Sequence, residues 1–225
     1  MASEQAPRRE RGMAEKNRRI LSAASDLFMR NGYAAVTTQQ IAERADVAAG
    51  TVFRYADSKA ELLIAVFNTL LADAIERGSA AAASVSGPVE QIAAQLDPVL
   101  DAAALRPRDT AVYQRELMFG DRDGRYRREG IAIITDLEER IARLIDPAGV
   151  DGGAQLASRS IFAATHVHLV QPSLGLDASA LAARALLHAQ IAQIVAGAQT
   201  TGGHPAGTSS RTHEGGTPPE RDNHE

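Results

Sequence analysis

The sequence predicts an all-α protein, and three observations lead to that prediction. Alanine is abundant while aromatic residues make up only 4% of the 225 residues, which favours closely packed helices over strands. No stretch alternates apolar and polar residues with the period of two that a half-buried strand requires. Apolar residues instead recur at helical spacing, and the first such stripe is formed by Ile20, Ala24, Leu27 and Phe28.

The N-terminal part of the chain should begin with two helices separated by a short turn. The first helix is predicted from residue 14 to about residue 30 and stops at Gly32, because glycine readily adopts the left-handed conformation that caps helices. Thr37 and Gln40 have the spacing of a capping box, in which each side chain bonds the backbone N–H of the other residue. A second helix should therefore start near Thr38 and end near Asp46.

A third, short helix and a long fourth helix are expected next. The short helix covers roughly residues 49–55. Ser58 and Glu61 repeat the capping-box spacing, so the long helix should open there and continue to about residues 78–83. Its inward-facing residues are expected to be Leu62, Leu63, Val66, Phe67 and Leu70.

The rest of the chain is predicted to form further helices and to end in a disordered tail. Gly87-Pro88 opens a helix that lasts to about residue 105, since proline suits the first turn. The helices after it are expected at residues 109–119, from 126–131 to 146, at 154–170 and at 178–196. Residues 198–225 are rich in Gly, Pro, Ser and Thr, and residues 1–13 are polar and carry Arg8, Arg9 and Arg11; both segments are predicted to be disordered.

The composition excludes several classes of site and suggests where a polyanion could bind. The chain has no cysteine, which excludes disulfides, thiolate zinc sites and cysteine catalysis. Its opening residues lack the apolar core of a signal peptide and no run reaches transmembrane length, so a cytoplasmic protein without membrane contacts is expected. Residues 1–60 hold ten Lys or Arg against seven Asp or Glu, whereas the acidic remainder holds fourteen against twenty-one. This asymmetry favours contact with a polyanion at the N-terminal end.

No pattern in the sequence supports catalysis, a metal site or a cofactor. His166 and His168 resemble a pair of metal ligands, but residues two apart on a helix point in nearly opposite directions and cannot share an ion. Glutamates such as Glu116, Glu138 and Glu139 are expected on helix surfaces rather than in an acid–base pair. The sequence also lacks a glycine-rich phosphate loop and a nucleophile motif, and the chain is not expected to be an enzyme.

The second and third helices, joined by the four residues "DVAA", have the pattern of a helix-turn-helix. In that motif the second helix enters the DNA major groove and presents its N-terminal residues to the base edges. Small residues such as Ala49 and Gly50 would let the backbone approach the groove floor, and Thr51 could bond a base or a phosphate. Phe53 could touch a thymine methyl unless it belongs to the core, an alternative that the sequence leaves open.

Other residues around this motif are candidates for polar contacts to DNA. Arg54 could pair with guanine or a phosphate, and the Tyr55 hydroxyl suits a phosphate oxygen. Thr37, Thr38 and Lys59 lie at the starts of two helices, where backbone N–H groups and side-chain donors can bind phosphates. Whether the N-terminal arm also reaches the minor groove is left open.

These residues resemble the TetR family of bacterial transcriptional regulators. The resemblance rests on "ILSAASDLFMRNGYAAVT" and on "TTQQIAERADVAAGTVFRYADSKAELL", and the motif covers about fifty of the 225 residues. It implies a three-helix helix-turn-helix DNA-binding domain at residues 14–60, followed at residues 61–197 by a helical ligand-binding and dimerisation domain. The chain departs from the family pattern at Asp46, where glycine is usual, at Phe53, where tyrosine is usual, and at Ala56-Asp57, where phenylalanine and proline are usual.

The family resemblance leads to a functional hypothesis with one alternative. The chain is expected to be a ligand-responsive repressor that binds a palindromic double-stranded DNA operator as a homodimer and is released by a small molecule. The two C-terminal helices would pair with those of a second copy in a four-helix bundle. Candidates for lining the ligand pocket are Tyr113, Met118, Phe119, Phe162 and His166. The alternative is a helical small-molecule binding protein that no longer recognises DNA.

Overall fold

The computed structural model describes residues 5–149, 152–175 and 180–201, and throughout these ranges the chain is α-helical with short connections and no strand. The predicted all-α fold class is confirmed. A 3-10 turn at Gln171–Leu174 follows the eighth helix. The helices are α1 (Gln5–Asn31), α2 (Thr38–Arg44), α3 (Ala49–Val52), α4 (Lys59–Ala82), α5 (Pro88–Ala104), α6 (Pro107–Phe119), α7 (Arg125–Ile145), α8 (Gly152–Val170) and α9 (Ala180–Thr201).

Two helix ends extend into segments for which the sequence predicts disorder. Helix α1 begins at Gln5 rather than near residue 14, because the Arg, Glu and Ala residues of this stretch are good helix formers and Pro7 lies in the first turn. Helix α9 continues to Thr201, past the predicted end at residue 196, because Gly197 does not adopt the left-handed conformation that caps a helix. The rest of the predicted tail, residues 202–225, lies outside the described residues.

Two apolar clusters hold the helices together, and α4 contributes to both of them. The N-terminal cluster joins α1, α2 and α3 to the first half of α4, with Ile20, Phe28, Ile41, Leu62 and Leu63 fully buried. It continues into the C-terminal helices, because Tyr113 of α6 and Tyr126 of α7 belong to the same cluster. The second cluster is formed by α4, α5, α7, α8 and α9, around Ile92, Leu96, Ile141, Ile161 and Leu187.

The close packing of α4 against α5 depends on a glycine. A Cβ atom at Gly78 would overlap the backbone carbonyl of Gln95 on the neighbouring helix. The Nε2 of Gln95 donates to the carbonyl oxygen of Ile75 at 2.9 Å, which fixes the contact between the two helices. This pair forms the rigid wall of the C-terminal half along which the other helices pack.

One helix in the described part of the chain is long and apolar enough to meet the length and composition of a membrane span. Residues Leu181–Thr200 of α9 have a mean hydropathy of 1.2, and only 17% of that window is buried. By length and composition, this helix contradicts the expectation that no run reaches transmembrane length. A single such helix is a weak indication of a membrane segment, and it shows that a largely exposed surface of α9 is apolar.

Candidate functional site

The turn between α2 and α3 is built from short-range contacts that the sequence predicts. Thr37 accepts from the backbone N–H of Gln40 at 3.2 Å and Gln40 Oε1 accepts from that of Thr37 at 2.8 Å, so both halves of the capping box are present. Asp46 adopts a left-handed conformation with φ 51°, as expected for the residue that replaces a turn glycine. The Arg19 guanidinium donates to the backbone oxygen of Asp46 at 2.7 Å and fastens the turn to α1.

Helix α3 presents small residues and one aromatic ring to solvent. Gly50 is exposed and a Cβ atom added there would meet nothing within 4 Å, so the fold itself does not need a glycine at this position. Val52 is buried and anchors the helix, whereas Phe53 is 49% exposed on the outer side. The structure therefore places Phe53 on the surface rather than in the core.

The third helix is shorter than predicted. It ends at Val52 instead of residue 55, because the following N–H groups bond three residues back, with Arg54 donating to Thr51 and Tyr55 to Val52. Arg54 is exposed, while Thr51 and Tyr55 are half-buried at the edge of the same surface. Ala56, which stands where the family usually has phenylalanine, is buried at 3% exposure.

Lys59 is turned inward, toward the loop between α1 and α2. Its Nζ donates to the backbone oxygens of Tyr33 at 3.0 Å and Val36 at 2.8 Å, and it lies 4.1 Å from the centroid of the Tyr33 ring. Lys59 therefore holds the loop that leads to Thr37 and Thr38 at the start of α2. The sequence alone predicts a phosphate contact for this residue, and the structure adds a positioning role.

The N-terminus of α6 contacts the same loop from the other side. Both carboxylate oxygens of Asp109 accept from the backbone N–H of Tyr33, at 3.1 and 3.2 Å. The Arg106 guanidinium donates to the backbone oxygens of Phe28 and Met29 at the end of α1. Sequence patterns offer no sign of either contact, because the partners are more than 70 residues apart in the chain.

A chain of polar side chains connects α6 and α7 to α1 and α4. The Tyr113 hydroxyl donates to Asn68 Oδ1 at 2.9 Å, and Asn68 Nδ2 donates to the backbone oxygen of Tyr126 at 2.8 Å. The Tyr126 hydroxyl donates to Asn17 Oδ1 at 3.2 Å. The backbone N–H of Tyr126 donates to Glu61 Oε1 at 3.3 Å. Burial raises the pKa of Tyr113 and that of Glu61. Glu61 thus bonds α7 rather than completing the predicted capping box with Ser58.

A cavity of about 340 Å³ lies among α4, α5, α6, α7 and α8. Its walls are mainly apolar and include Phe67, Leu71, Leu96, Leu117 and Ile141. The volume of this cavity and its mainly apolar lining are typical of a small-molecule binding site.

Four of the five predicted pocket residues line this cavity. They are Tyr113, Met118, Phe162 and His166. The fifth, Phe119, is 83% exposed and lies outside the lining, because one step along a helix turns a side chain by about 100° away from Met118. Gln114 and Thr110 also line the cavity, and the helical spacing of α6 could have identified them.

The two histidines of α8 point to different neighbours. His166 faces the cavity beside the Phe162 ring, and burial lowers its pKa. His168 is buried on the side of α9, where its Nε2 lies 3.0 Å from Gln190 Oε1. No group of three potential metal ligands occurs among the residues that the structure describes.

Helices α8 and α9 expose large apolar side chains to solvent. Leu156 and Val167 of α8 are 71% and 52% exposed, and Leu181 and Leu186 of α9 are 79% and 53% exposed. Exposed apolar surface of this extent is typical of a surface that another molecule covers.

Comparison with known proteins agrees with the helix-turn-helix interpretation. Residues 20–66 match the family model described as "Bacterial regulatory proteins, tetR family". The chain is 37% identical over 109 residues to the HTH-type transcriptional repressor KstR of Rhodococcus jostii, covering 48% of this chain and 50% of that protein. It is 29% identical over 107 residues to KstR of Mycobacterium tuberculosis, covering 48% and 49%. The chain thus spans about half the length of the curated relatives it matches.

Solved structures resemble the whole fold at low sequence identity. Thermus thermophilus FadR, a TetR-family transcriptional repressor solved with lauroyl-CoA, gives a TM-score of 0.63 at 21% identity over 80% of this chain and 93% of that one. Bacillus subtilis FadR, solved with stearoyl-CoA, gives 0.59 at 21% identity over 80% and 97%. The helix-turn-helix sequence and the all-helical architecture lead to one assignment. Residues 20–66 carry the N-terminal domain of the TetR family of bacterial transcriptional regulators, and the all-helical fold of the chain resembles that of solved TetR-family proteins.

Proposed function

We propose that this protein is a cytoplasmic, ligand-responsive repressor that binds a palindromic DNA operator as a homodimer. The observation that carries the proposal is the surface of α3, where a glycine that the fold does not need stands beside exposed Phe53 and Arg54. A recognition helix needs such a surface, because its backbone must approach the base edges closely. The predicted contacts of Thr37, Thr38, Ala49, Gly50, Thr51, Phe53, Arg54, Tyr55 and Lys59 with DNA belong to this proposal.

The exposed apolar side of α8 and α9 supports the homodimer. A second copy that packs the same helices against Leu156 and Leu186 would cover this surface and explain the apolar composition of α9 without a membrane. A twofold dimer would place two α3 helices toward successive major grooves, about 34–36 Å apart, which suits a palindromic operator.

The cavity supports regulation by a small apolar molecule. Its lining is mainly hydrocarbon, and α6 carries several of its wall residues as well as Arg106 and Asp109, which bond α1 and the following loop. A ligand that shifts α6 would therefore act directly on the DNA-binding unit, which comprises α1, α2 and α3. The two FadR neighbours were solved with acyl-CoA molecules, which makes an acyl chain the first ligand class to test.

Fluorescence anisotropy with DNA from the region upstream of the protein's own gene tests this function. We expect specific binding that weakens steeply as salt rises, because phosphate contacts release counterions. Thr51→Ala should change the preferred base sequence, whereas Gln39→Ala on the exposed side of α2 provides the control for folding. Saturating lauroyl-CoA or dodecanoic acid should release the DNA.

Two results would decide against the repressor. If a folded dimer binds the apolar ligand but binds no DNA specifically, the result supports the alternative, a helical binding protein without DNA recognition. Specific DNA binding that no apolar ligand weakens would remove the ligand response and leave the DNA-binding function in place.

A further inference from the structure

The wall of the cavity contains a side-chain amide without a partner. Gln114 is 7% exposed, and its Oε1 is buried with no hydrogen-bond partner in the part of the chain that the structure describes. Buried side-chain polar atoms are nearly always paired, because an unpaired one loses its bonds to water without replacement. Because Gln114 also lines the cavity, a small rotation of its amide would present this oxygen to a molecule bound there.

The place of Gln114 on α6 puts the amide partway along the cavity. The residues of α6 that line the cavity share one helix face with the N-cap residue Arg106, and they are Thr110, Tyr113, Gln114, Leu117 and Met118. Gln114 lies one turn after Thr110 and one turn before Met118. A ligand that occupies this face would thus meet the amide along its length rather than at its end.

Several polar groups of the cavity are already bonded within the protein, and the His166 ring contacts the Phe162 ring. The Tyr113 hydroxyl donates to Asn68, and the Thr165 hydroxyl donates to the backbone oxygen of Ile161 at 2.8 Å. The carboxylates of Asp101 and Glu138 are in ion pairs with arginines. Gln114 is the neutral amide of the lining whose oxygen has no partner among the described residues, and that oxygen is the acceptor that a ligand donor can satisfy.

We propose that the effector is a mainly hydrocarbon molecule with a hydroxyl group partway along its apolar part, and that Gln114 Oε1 accepts a hydrogen bond from that hydroxyl. This inference rests on the proposed ligand response and names the chemical class of the ligand. A hydroxyl supplies the missing donor without bringing a buried charge, which would be costly here. A plain hydrocarbon chain would leave the amide oxygen unpaired, so the site should favour the hydroxylated chain over it.

Calorimetric titration of the full chain with matched ligands tests the proposal. The ligands are dodecanoic acid and a series of hydroxydodecanoic acids that differ in the position of the hydroxyl, each also as its CoA thioester. We expect the best-placed hydroxy isomer to bind roughly tenfold tighter than the unsubstituted acid. The comparison between acids and thioesters shows whether a phosphate-bearing head contributes. The proposal is overturned if no isomer binds tighter than the plain chain with either head.

A pair of variants assigns the preference to Gln114. Gln114→Leu should abolish the advantage of the hydroxy isomer while leaving the plain chain bound as tightly or more tightly. Its melting temperature without ligand should not fall, because the amide has no protein partner. Thr165→Val is the matched control, since this hydroxyl is bonded within α8 and its loss should preserve the preference. If Gln114→Leu does not fold, Gln114→Met keeps the side-chain length and replaces it.

The outcomes separate this inference from the proposed function. Retention of the preference in Gln114→Leu, or its loss in Thr165→Val, contradicts the role of Gln114. A protein that binds operator and is released by plain and hydroxylated chains alike keeps the repressor function and refutes the hydroxyl specificity. A protein that prefers the hydroxy isomer but binds no operator supports the ligand class and refutes the repressor.

Discussion

The Lys59 ammonium couples the start of α4 to the loop that precedes the helix-turn-helix. Two of its three donors bond the backbone oxygens of Tyr33 and Val36, and its charge lies over the Tyr33 ring. Thr37, which directly follows Val36, provides the N-cap of α2. The orientation of α2 and α3 relative to α4 therefore depends in part on one side chain, which acts through the loop.

Replacing Lys59 with methionine should lower the free energy of unfolding by about 1–2 kcal/mol, because two carbonyl oxygens lose a charged donor. Urea denaturation followed by circular dichroism measures this change. Lys16→Met, at an exposed position on α1, is the control and should shift the value by less than about 0.5 kcal/mol. Equal unfolding midpoints for the two variants would show that the loop does not need Lys59.

The buried carboxyl group of Glu61 predicts a pH dependence of stability. Burial raises its pKa above the ordinary value of 4.5, against the opposing effect of the Tyr126 N–H bond. Since the folded pKa is the higher one, Glu61 favours folding fully below about pH 4.5 and loses that contribution as the pH rises through the folded value. Glu61→Gln stays neutral and keeps the acceptor oxygen.

The stability of Glu61→Gln should therefore exceed that of the wild type at pH 7 and approach it near pH 4. Urea denaturation at several pH values measures the difference, and Glu43→Gln on the exposed side of α2 gives the baseline. A difference that stays constant over this pH range, or that grows toward low pH, would contradict the raised pKa.

Helix α6 lines the cavity and also contacts the loop that precedes the helix-turn-helix. Its cavity face includes Tyr113, Gln114 and Leu117, and its first turn carries Asp109, which bonds the N–H of Tyr33. Packed helices move as rigid bodies between discrete arrangements, so a small displacement at the cavity reaches the loop with little loss. The coupling between ligand and DNA should therefore depend on the contact of Asp109 with the loop.

Asp109→Ala should reduce the coupling between ligand and operator while leaving ligand affinity in the absence of DNA within about threefold, because Asp109 lies outside the cavity lining. Linkage requires that ligand and operator weaken each other by the same factor, so both effects should shrink equally. Anisotropy measures one effect and calorimetry with and without operator measures the other. Arg108 is exposed on the same helix, and Arg108→Ala should keep the wild-type factor by which ligand and operator weaken each other. If Asp109→Ala also keeps that factor, the contact of Asp109 with the loop does not couple the two binding events.

Short-range features of these elements could be predicted from sequence, and long-range ones could not. The capping box of Thr37 depends on two residues only three positions apart, and it is confirmed. The exposure of Phe119 and the inward turn of Lys59 depend on how distant helices pack, which no local pattern records. The unpaired amide of Gln114 becomes visible only when five helices enclose the cavity.

At the scale of the whole molecule, charge and apolar surface divide the protein into two ends. Residues 1–60 carry a net charge of +3 and the remaining residues carry −7. The basic end holds α3, while the exposed apolar residues of α8 and α9 lie in the acidic part. An acidic body disfavours non-specific contact with DNA outside the basic end. Operator affinity should then depend on joining two basic ends through the apolar helices.

Leu186→Glu should convert the proposed dimer into a monomer, because it puts a charge into an apolar surface that a second copy would bury. Sedimentation velocity measures the mass, and anisotropy should show a loss of at least about tenfold in operator affinity, since a monomer contacts a single half-site. Leu105→Glu is the control: this leucine is 83% exposed at the end of α5, so a charge there should leave both dimer and affinity intact. A Leu186→Glu protein that stays dimeric would place the interface elsewhere. A monomer that keeps full affinity would show that the operator is not read as two half-sites.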